Sequence, residues 1–194
     1  MEENCFKVTP LFTLLNDEDG EGFFAFHASS FVSRNKDVEL FLKQKAVQSV
    51  KLSTSSTYLV MREGGADLLG YFTLALKMLT IKSCVLSSSQ EKTIRRFGSF
   101  DAETESYKLP AVLLAQFGRN FSETSASIDG KELMNSALKC IKTIFSLSSG
   151  KTAFLECEPS EKLICFYERC GFSLLGNTTV SKDKKELVQM FRFV

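Results

Sequence analysis

The sequence predicts a mixed α/β fold, in which a sheet of parallel and antiparallel strands packs against amphipathic helices. Three observations support this prediction: a β-hairpin pattern in the first half of the chain, strands and helices that alternate after Pro110, and an apolar content of 44% in 194 residues. A chain of this length buries roughly 70% of its unfolded surface, which is enough for a substantial core. Residues 1–194 are therefore predicted to form a single domain.

The first half of the chain contains a predicted helix followed by a hairpin. Asp37 is a typical helix N-cap for residues 37–50. Apolar side chains recur every four residues on one face of this segment: Leu42, Ala46 and Val50. Residues 58–62 are β-branched and aromatic, residues 64–65 are a Gly-Gly turn, and residues 68–78 are a second apolar run. This pattern predicts two antiparallel strands joined by a turn.

The middle of the chain is predicted to hold a short helix, a loop and a strand. Residues 91–96 are the helix, and a polar loop runs on to Lys108. Residues 110–117 are apolar and predict a strand, with proline at its first position, where a missing N–H matters least.

The clearest helix follows this strand. Asp129 and Glu132 are a plausible cap pair at its start, and Gly150 ends the segment. One apolar stripe runs along it: Leu133, Met134, Ala137, Leu138, Ile141, Ile144 and Phe145.

The last part of the chain predicts a strand, a helix and two closing strands. Residues 152–157 are the strand, Ser160 caps the helix, and Gly171 provides its left-handed end. Residues 172–175 and 187–193 then predict the closing strands. Because strands and helices alternate after Pro110, we expect parallel neighbours joined by crossover helices, next to the antiparallel hairpin.

Composition excludes several classes of function. The net charge of +1 argues against a dedicated nucleic-acid-binding protein, which usually has a basic excess. The single histidine, His27, excludes a His-rich metal site, and no metal is predicted. The six cysteines form no C-x-x-C pair, so we expect them to be buried small apolar residues in a cytoplasmic protein. Neither a signal peptide nor a membrane span is predicted.

Several segments, in the same order, resemble the GNAT superfamily of acyl-CoA N-acyltransferases. Residues 166–172 (FYERCGF) resemble a helix end of that family, and residues 110–117 (PAVLLAQF) stand where its central cofactor-binding strand belongs. Residues 38–43 (VELFLK), 57–60 (TYLV) and 69–74 (LGYFTL) are similar to its toxin-like branch. The resemblance implies a mixed, mostly antiparallel central sheet with a splayed central strand pair and flanking helices.

The resemblance also implies an activity. Such enzymes transfer an acetyl group from acetyl-CoA directly to an amine, and none of the proton transfers involved requires histidine. The implied acceptor is a small molecule, a protein or, from the toxin-like branch, an aminoacyl-tRNA. A second copy of the chain and an antitoxin are the implied protein partners. The alternative is a non-catalytic interaction protein that keeps the fold and has lost efficient CoA binding.

The resemblance implies four candidate site residues at the end of the central strand and on the last helix. Tyr167 occupies the position of a general acid beside the cofactor sulfur, and the alternative is a core aromatic with its hydroxyl at the rim. Phe117, Gly118 and Arg119 would offer backbone groups to the pantetheine arm and the thioester carbonyl. No general base is assigned, because Gln116, Glu156 and Glu158 are more often structural or solvated.

The phosphate loop departs from the family pattern, which places glycines where backbone N–H groups face the pyrophosphate. The implied cofactor-binding residues here are Ser125, Ser127, Gly130 and Lys131, and Ile128 replaces the middle glycine. Asp129 and Glu132 would place negative charge near the anion. Ser160 stands where many relatives have Asn, and a simple helix N-cap is the alternative.

Overall fold

The computed structural model describes residues 6–64, 67–122, 128–180 and 185–194. It divides into two compact units. The first is the chain up to Ala75 together with Ala115–Ala137, and the second is Leu76–Leu114 together with Leu138–Val194. That the whole chain behaves as one domain stays a prediction.

The first unit starts with β1 and four helices and continues into an antiparallel sheet. Its elements are β1 (Phe6–Pro10), α1 (Leu11–Leu15), α2 (Gly20–Ser29), α3 (Lys36–Gln44), α4 (Ala46–Lys51), β2 (Ser56–Arg62) and the first part of β3 (Leu68–Lys82). β1 pairs antiparallel with β2, and β2 pairs antiparallel with β3, so the predicted hairpin is confirmed.

The second unit contains the rest of β3 and the elements that follow it. These are a 3₁₀ turn (Ser83–Val85), α5 (Ser88–Ile94), β4 (Ser99–Asp101), β5 (Ser106–Arg119), α6 (Gly130–Leu147), β6 (Thr152–Cys157), α7 (Glu161–Arg169), β7 (Ser173–Val180) and β8 (Glu186–Phe193). The carboxyl end of β5 and the first turns of α6 belong to the first unit. In the second unit the strand order is β3-β5-β6-β8-β7, and β4 pairs with β5.

The sheet is mostly antiparallel, as the resemblance implies. Of the six strand pairs with a described register, only β5 with β6 is parallel. That register covers four pairs, from Ala111 with Thr152 to Leu114 with Leu155. Both strands continue beyond it, β5 to Arg119 and β6 to Cys157. The mixed α/β class with α6 as a crossover helix is therefore confirmed.

One expectation about the parallel strands is wrong. β6 and β7 are not neighbours, because β8 lies between them and is antiparallel to both. The closing hairpin places β8 next to β6. The local alternation of strands and helices cannot predict this placement. The final strand of the chain therefore separates the two strands expected to pair.

The helix expected at residues 37–50 is in fact two helices. The backbone of Lys45 has φ −121°, outside the helical region, so α3 ends before it and α4 begins after it. The cap residue is Asn35, whose side chain accepts a hydrogen bond from the Asp37 N–H at 2.9 Å. The predicted apolar stripe is nevertheless buried: Leu42, Ala46 and Val50.

The polar loop expected before Pro110 is partly strand. β5 begins at Ser106, and residues 106–108 pair with β4. Pro110 therefore lies inside the strand, between the register with β4, which ends at Lys108, and the register with β6, which begins at Ala111. A residue without an N–H is tolerated at this position of both registers, because neither of them includes residue 110.

Burial of the cysteines differs from expectation. Of the described cysteines, Cys157 is buried, Cys140, Cys165 and Cys170 are half-buried, and Cys84 is exposed in the 3₁₀ turn. Cys5 lies outside the described residues. Among the described helices, none is both long and apolar enough to cross a bilayer.

Glu39 makes the stability of the first unit depend on pH. The Ser33 N–H and then the Lys43 ammonium donate to its carboxylate, at 3.1 and 3.0 Å, and lower the pKa of Glu39 from 4.5 to about 2. Because the folded-state pKa is the lower one, this stabilisation is complete above the unfolded-state value and is lost as pH falls towards the folded-state value.

We therefore expect Glu39→Gln to be less stable than the wild type at neutral pH, with a gap that narrows in acid. Thermal melting of both proteins from neutral pH down to pH 2 measures the gap. A gap that stays constant with pH would contradict the assignment.

Candidate active site

The carboxyl-terminal end of β5 carries three of the residues predicted to contact the acetyl donor. Gly118 is buried, and Phe117 and Arg119 are half-buried. A Cβ at position 118 would lie 2.6 Å from Cγ1 of Val38 in α3. Glycine is therefore needed here for packing against α3, independently of any ligand.

β3 approaches the same strand end closely. A Cβ at Gly70 would lie 2.8 Å from the carbonyl oxygen of Gly118. The adjacent Tyr71 is fully buried, and its hydroxyl donates to the carbonyl of Val38. α3, β3 and the end of β5 are thus held together by close packing and one partly buried hydrogen bond.

Asn120 fixes the chain just beyond β5. Its side-chain Nδ2 donates to the Leu68 carbonyl at 2.8 Å, and its Oδ1 accepts from the N–H groups of Val32 and Ser122 at 3.1 and 3.0 Å. The side chain is buried, so these three hydrogen bonds satisfy an amide that has little access to water. The residues around it therefore have a defined position.

Two arginines and one aromatic ring form a cationic cluster next to Asn120. The Cζ atoms of Arg34 and Arg119 lie 4.4 and 4.9 Å from the centroid of the Phe121 ring. Arg119 Nη1 also donates to the Ile128 carbonyl at 3.0 Å. A guanidinium presents several N–H donors in a plane that matches a phosphate. Sequence reasoning missed Arg34 and Phe121, because Arg34 is distant in the chain and joins the cluster only through the tertiary fold.

The first turn of α6, the predicted phosphate-binding turn, is capped by acidic side chains. The Lys131 N–H donates to Asp129 Oδ1 at 2.7 Å, and the Asp129 N–H donates to Glu132 Oε2 at 3.1 Å. Gly130 is half-buried and Lys131 is exposed. The cap pair predicted from the sequence is present. Because carboxylates occupy these amides, a phosphate group fits the cationic cluster better than this turn.

The predicted site serines have different outcomes. Ser125 and Ser127 lie outside the described residues. Ser160 is the N-cap residue of α7, but within the described chain its side chain makes no capping hydrogen bond. Its N–H donates to the Glu158 carbonyl at 2.7 Å, and its carbonyl accepts from the Ile164 N–H. Ser160 therefore starts the helix through its backbone.

Tyr167 lies in α7 and is buried. Its ring packs edge-on against Phe166 and Phe172, with centroids 5.2 and 6.1 Å apart. Burial raises the pKa of Tyr167, and the negative charge of Cys157 and Cys170 in their thiolate forms raises it further. The phenol therefore keeps its proton through neutral pH and can act as a donor.

The end of α7 fixes the backbone of Tyr167. The Phe172 N–H donates to the Tyr167 carbonyl at 3.0 Å, and the Gly171 N–H donates to the Glu168 carbonyl at 2.8 Å. Gly171 has φ +82°, and a Cβ there would lie 3.2 Å from Arg192 Nη1. This is a Schellman ending, so the left-handed stop predicted at Gly171 is confirmed.

The acidic residues at the end of β6 are engaged by polar neighbours. Gln189 Nε2 donates to Glu156 Oε1 at 2.9 Å, and the Lys185 ammonium lies 3.6 Å from Glu158. Gln116 is half-buried in β5. Glu156 therefore has one carboxylate oxygen held in position by a neutral donor.

In the described part of the chain, no three His, Cys, Asp or Glu side chains group closely enough to hold a metal ion. His27 is buried in α2, with its ring 4.3 Å from that of Phe23 and 5.2 Å from that of Phe26. Burial lowers the pKa of His27. The residue has the surroundings of a structural aromatic, as predicted.

The sequence matches no protein-family model and no curated protein. The fold is similar to several solved structures. A bacterial toxin is 16% identical, with a TM-score of 0.66 and coverage of 98% of this chain and 92% of that one. AtaT complexed with acetyl-methionyl-tRNAfMet is 18% identical, with a TM-score of 0.63 and coverage of 95% and 94%. A tyrosine-to-phenylalanine mutant of KacT is also 18% identical, with a TM-score of 0.63 and coverage of 94% and 93%. The mixed, mostly antiparallel fold implied by the sequence motifs is therefore shared with these solved structures.

Proposed function

We propose that this protein is an N-acetyltransferase that moves an acetyl group from acetyl-CoA to an amine. The observation that carries the proposal is the environment of Tyr167, a buried phenol that retains its proton, in a chain with the fold of toxin structures. Acetyl-CoA would supply a reactive thioester. The amine nitrogen bonds to the acetyl carbon as the carbon–sulfur bond breaks, and the amine releases its proton to water or a base.

Tyr167 would donate the proton that the departing thiolate needs. A protonated phenol held by packing and by a fixed backbone is a suitable general acid, since its position costs no reorganisation during the reaction. The raised pKa keeps the donor loaded across the physiological range. Solvent returns the proton to Tyr167 after transfer.

Arg34 and Arg119 would hold the phosphates of acetyl-CoA. Their guanidinium groups converge on Phe121, and each can still offer N–H donors to an anion. In this arrangement the positive charge comes from side chains, which compensates for the acidic cap on the first turn of α6. Gly130, Lys131, Ser125 and Ser127 remain proposed contacts of the same donor, and Ser160 of its pantetheine arm.

We further propose that the acceptor is the amino group of an aminoacyl-tRNA, and that an antitoxin controls the activity. Support comes from solved structures of similar fold: one is AtaT with acetyl-methionyl-tRNAfMet, and another is an AtaT mutant bound to the antitoxin AtaR and acetyl-CoA. The net charge of +1 does not add to the support for tRNA. A homodimer is the proposed assembly.

The activity is tested by following radiolabelled acetyl groups from acetyl-CoA. Aminoacyl-tRNA, deacylated tRNA, peptides and small amines are incubated separately with the protein. We expect label in the aminoacyl-tRNA fraction and none in deacylated tRNA. Label in peptides or small amines alone would reject the tRNA acceptor and keep the acetyltransferase. No transfer to any amine would reject the enzyme.

The acidic cap on α6 favours a second candidate function, a GNAT-fold interaction protein without catalysis. Asp129 and Glu132 occupy amides that would otherwise face a phosphate. Calorimetry with acetyl-CoA and with CoA separates the two candidates. An absence of binding at millimolar concentration of either compound would support the interaction protein.

If the cationic cluster binds the donor phosphates, Arg34→Ala and Arg119→Ala should each weaken acetyl-CoA binding about tenfold or more, since each loses a charge-assisted hydrogen bond. Calorimetry measures this, and Arg96→Ala, which removes an exposed arginine of the second unit, is the matched control. S-acetylpantetheine lacks the nucleotide phosphates, so its binding should not change in any variant. Equal losses for both compounds would mean that the arginines act on the fold instead.

A further inference from the structure

The strand β3 has a free edge in the second unit. β2 pairs with β3 only as far as Leu74, which lies opposite Ser56. β3 continues to Lys82, and along residues 76–82 it has β5 as a neighbour on one side and no described strand on the other. Every second residue of this segment therefore points its backbone N–H and C=O groups to an open edge.

Side chains of this segment are exposed on both faces of the strand. Leu76 and Met78 are 71% and 62% exposed, and Lys77 between them is exposed as well. Successive side chains of a strand point to opposite faces, so three exposed residues in a row show that no described element packs closely over either face here. The backbone edge and two large apolar side chains are thus accessible together.

This combination differs from an edge that is protected against pairing. Sheets usually block a free edge with a short strand, a bulge, proline or charged side chains. Residues 76–82 contain no proline and have large apolar side chains as well as lysines. Exposed apolar side chains next to unpaired backbone groups are typical of a surface that another chain covers by adding a strand.

The segment is also positively charged. Residues 76–82 include Lys77 and Lys82 and no acidic residue. Neither ammonium group has an ion-pair partner among the described residues. Both lysines line an open cavity of about 820 Å³ in the second unit, where the acidic residue of the described lining, Glu156, accepts a hydrogen bond from Gln189 at 2.9 Å. Two positive charges against one negative charge make this side of β3 complementary to an acidic chain.

We propose that residues 76–82, the β3 edge, bind an extended acidic segment of a partner protein, which adds to the sheet as a further strand. Main-chain hydrogen bonds to β3 provide affinity, and carboxylates near Lys77 and Lys82 provide specificity. Apolar side chains of the partner cover Leu76 and Met78. A second copy of this chain fits less well, because it brings two more lysines and no carboxylate to the edge. The inference goes beyond the proposed reaction, since it assigns a binding surface and no chemical step.

The probe is a heptapeptide amide, Glu-Thr-Val-Thr-Val-Glu-Ile, with a fluorophore at its amino terminus. Its two carboxylates have the same sequence spacing as Lys77 and Lys82. The comparison peptide has lysine at both acidic positions. Fluorescence anisotropy with the full chain at low ionic strength measures both affinities. We expect the acidic peptide to bind about tenfold more tightly than the basic one.

Charge reversal assigns this preference to the β3 edge. Lys77→Glu with Lys82→Glu should invert it, so that the basic peptide becomes the tighter ligand. Lys139→Glu with Lys142→Glu makes the same change of charge on exposed side chains of α6 and should keep the wild-type preference. All four side chains are exposed, so both double variants should melt close to the wild type. An unchanged preference in the β3 variant, or no binding of either peptide to any of the proteins, would overturn the proposal.

Backbone pairing is tested on the peptide, where no protein folding is at risk. One version of the acidic peptide is N-methylated at its odd positions and another at its even positions. Only one of these sets points its N–H groups to β3 in a strand pair. We expect that version to bind at least about tenfold more weakly and the other to stay within about threefold of the parent peptide. Equal losses for both versions, or no loss for either, would show that the peptide is not bound as a strand and would reject strand addition.

Sedimentation equilibrium distinguishes a different protein from a second copy. We expect the acidic peptide to bind without changing the number of copies of the chain in the assembly. Dissociation of an assembly as the peptide binds would mean that a second copy covers the β3 edge, which contradicts the proposal. None of these measurements requires acetyl transfer, so their outcome is independent of whether the proposed enzyme activity is found.

Discussion

Replacing Tyr167 by phenylalanine is expected to lower turnover about a hundredfold or more, because the thiolate loses its proton donor. The ring, its packing against Phe166 and Phe172, and the Schellman ending all remain. We therefore expect the affinity for acetyl-CoA to stay within about twofold, which marks an interaction made in the transition state and not in the ground state. Steady-state kinetics and calorimetry on the same preparation measure both quantities.

Two controls separate chemistry from folding in this experiment. Tyr58→Phe removes a phenolic hydroxyl from the first unit and should leave turnover unchanged. The thermal midpoint of Tyr167→Phe should fall by no more than a few degrees, about the cost of one hydrogen bond, since the ring and its packing are kept. Unchanged turnover in Tyr167→Phe would remove the residue from the mechanism and leave it as a core aromatic.

Gly118→Ala is expected to destabilise the protein by about 1–3 kcal/mol, because the new methyl group overpacks a filled site. The added Cβ would lie 2.6 Å from Val38 Cγ1, so α3 or the end of β5 must shift. The same shift moves Arg119, so acetyl-CoA affinity should fall in parallel with the free energy of unfolding.

Val38→Ala tests the origin of this cost. It removes the clashing methyl group, so Gly118→Ala should cost less in the Val38→Ala background, with a coupling of about 0.5–3 kcal/mol. Urea denaturation of the two single variants and the double variant measures the coupling. An identical cost in both backgrounds would mean that the clash with Val38 does not set the requirement for glycine.

Local sequence patterns predicted most elements because these elements are stabilised by short-range periodicity. The apolar stripe of α6, the hairpin of β2 and β3, and the glycine that ends α7 each depend on residues a few positions apart. The two errors in strand arrangement, the early start of β5 and the insertion of β8 beside β6, depend on partners far away in the chain. Periodicity carries no information about those partners.

The candidate site divides in the same way. Tyr167 is identifiable from its motif, and Asp129 with Glu132 from cap spacing. Arg34 and the cavity with Glu156 and Gln189 are not, because their contacts join distant segments. The sequence around a single basic residue such as Arg34 does not show whether its side chain contacts a phosphate or is only exposed to solvent.

Local conformational preference and spacing were enough to predict the mixed α/β class, the cap pair at the start of α6 and the glycine end of α7. Tyr167 is a candidate acid through the resemblance of its motif to a known family. Contacts between distant segments explain the glycine at position 118 and the positive charge around Phe121, and they could not be predicted from local patterns. The physical reason is that packing and electrostatics act through space. Residues such as Val38 and Gly118 meet only when α3 and β5 are brought together by the fold.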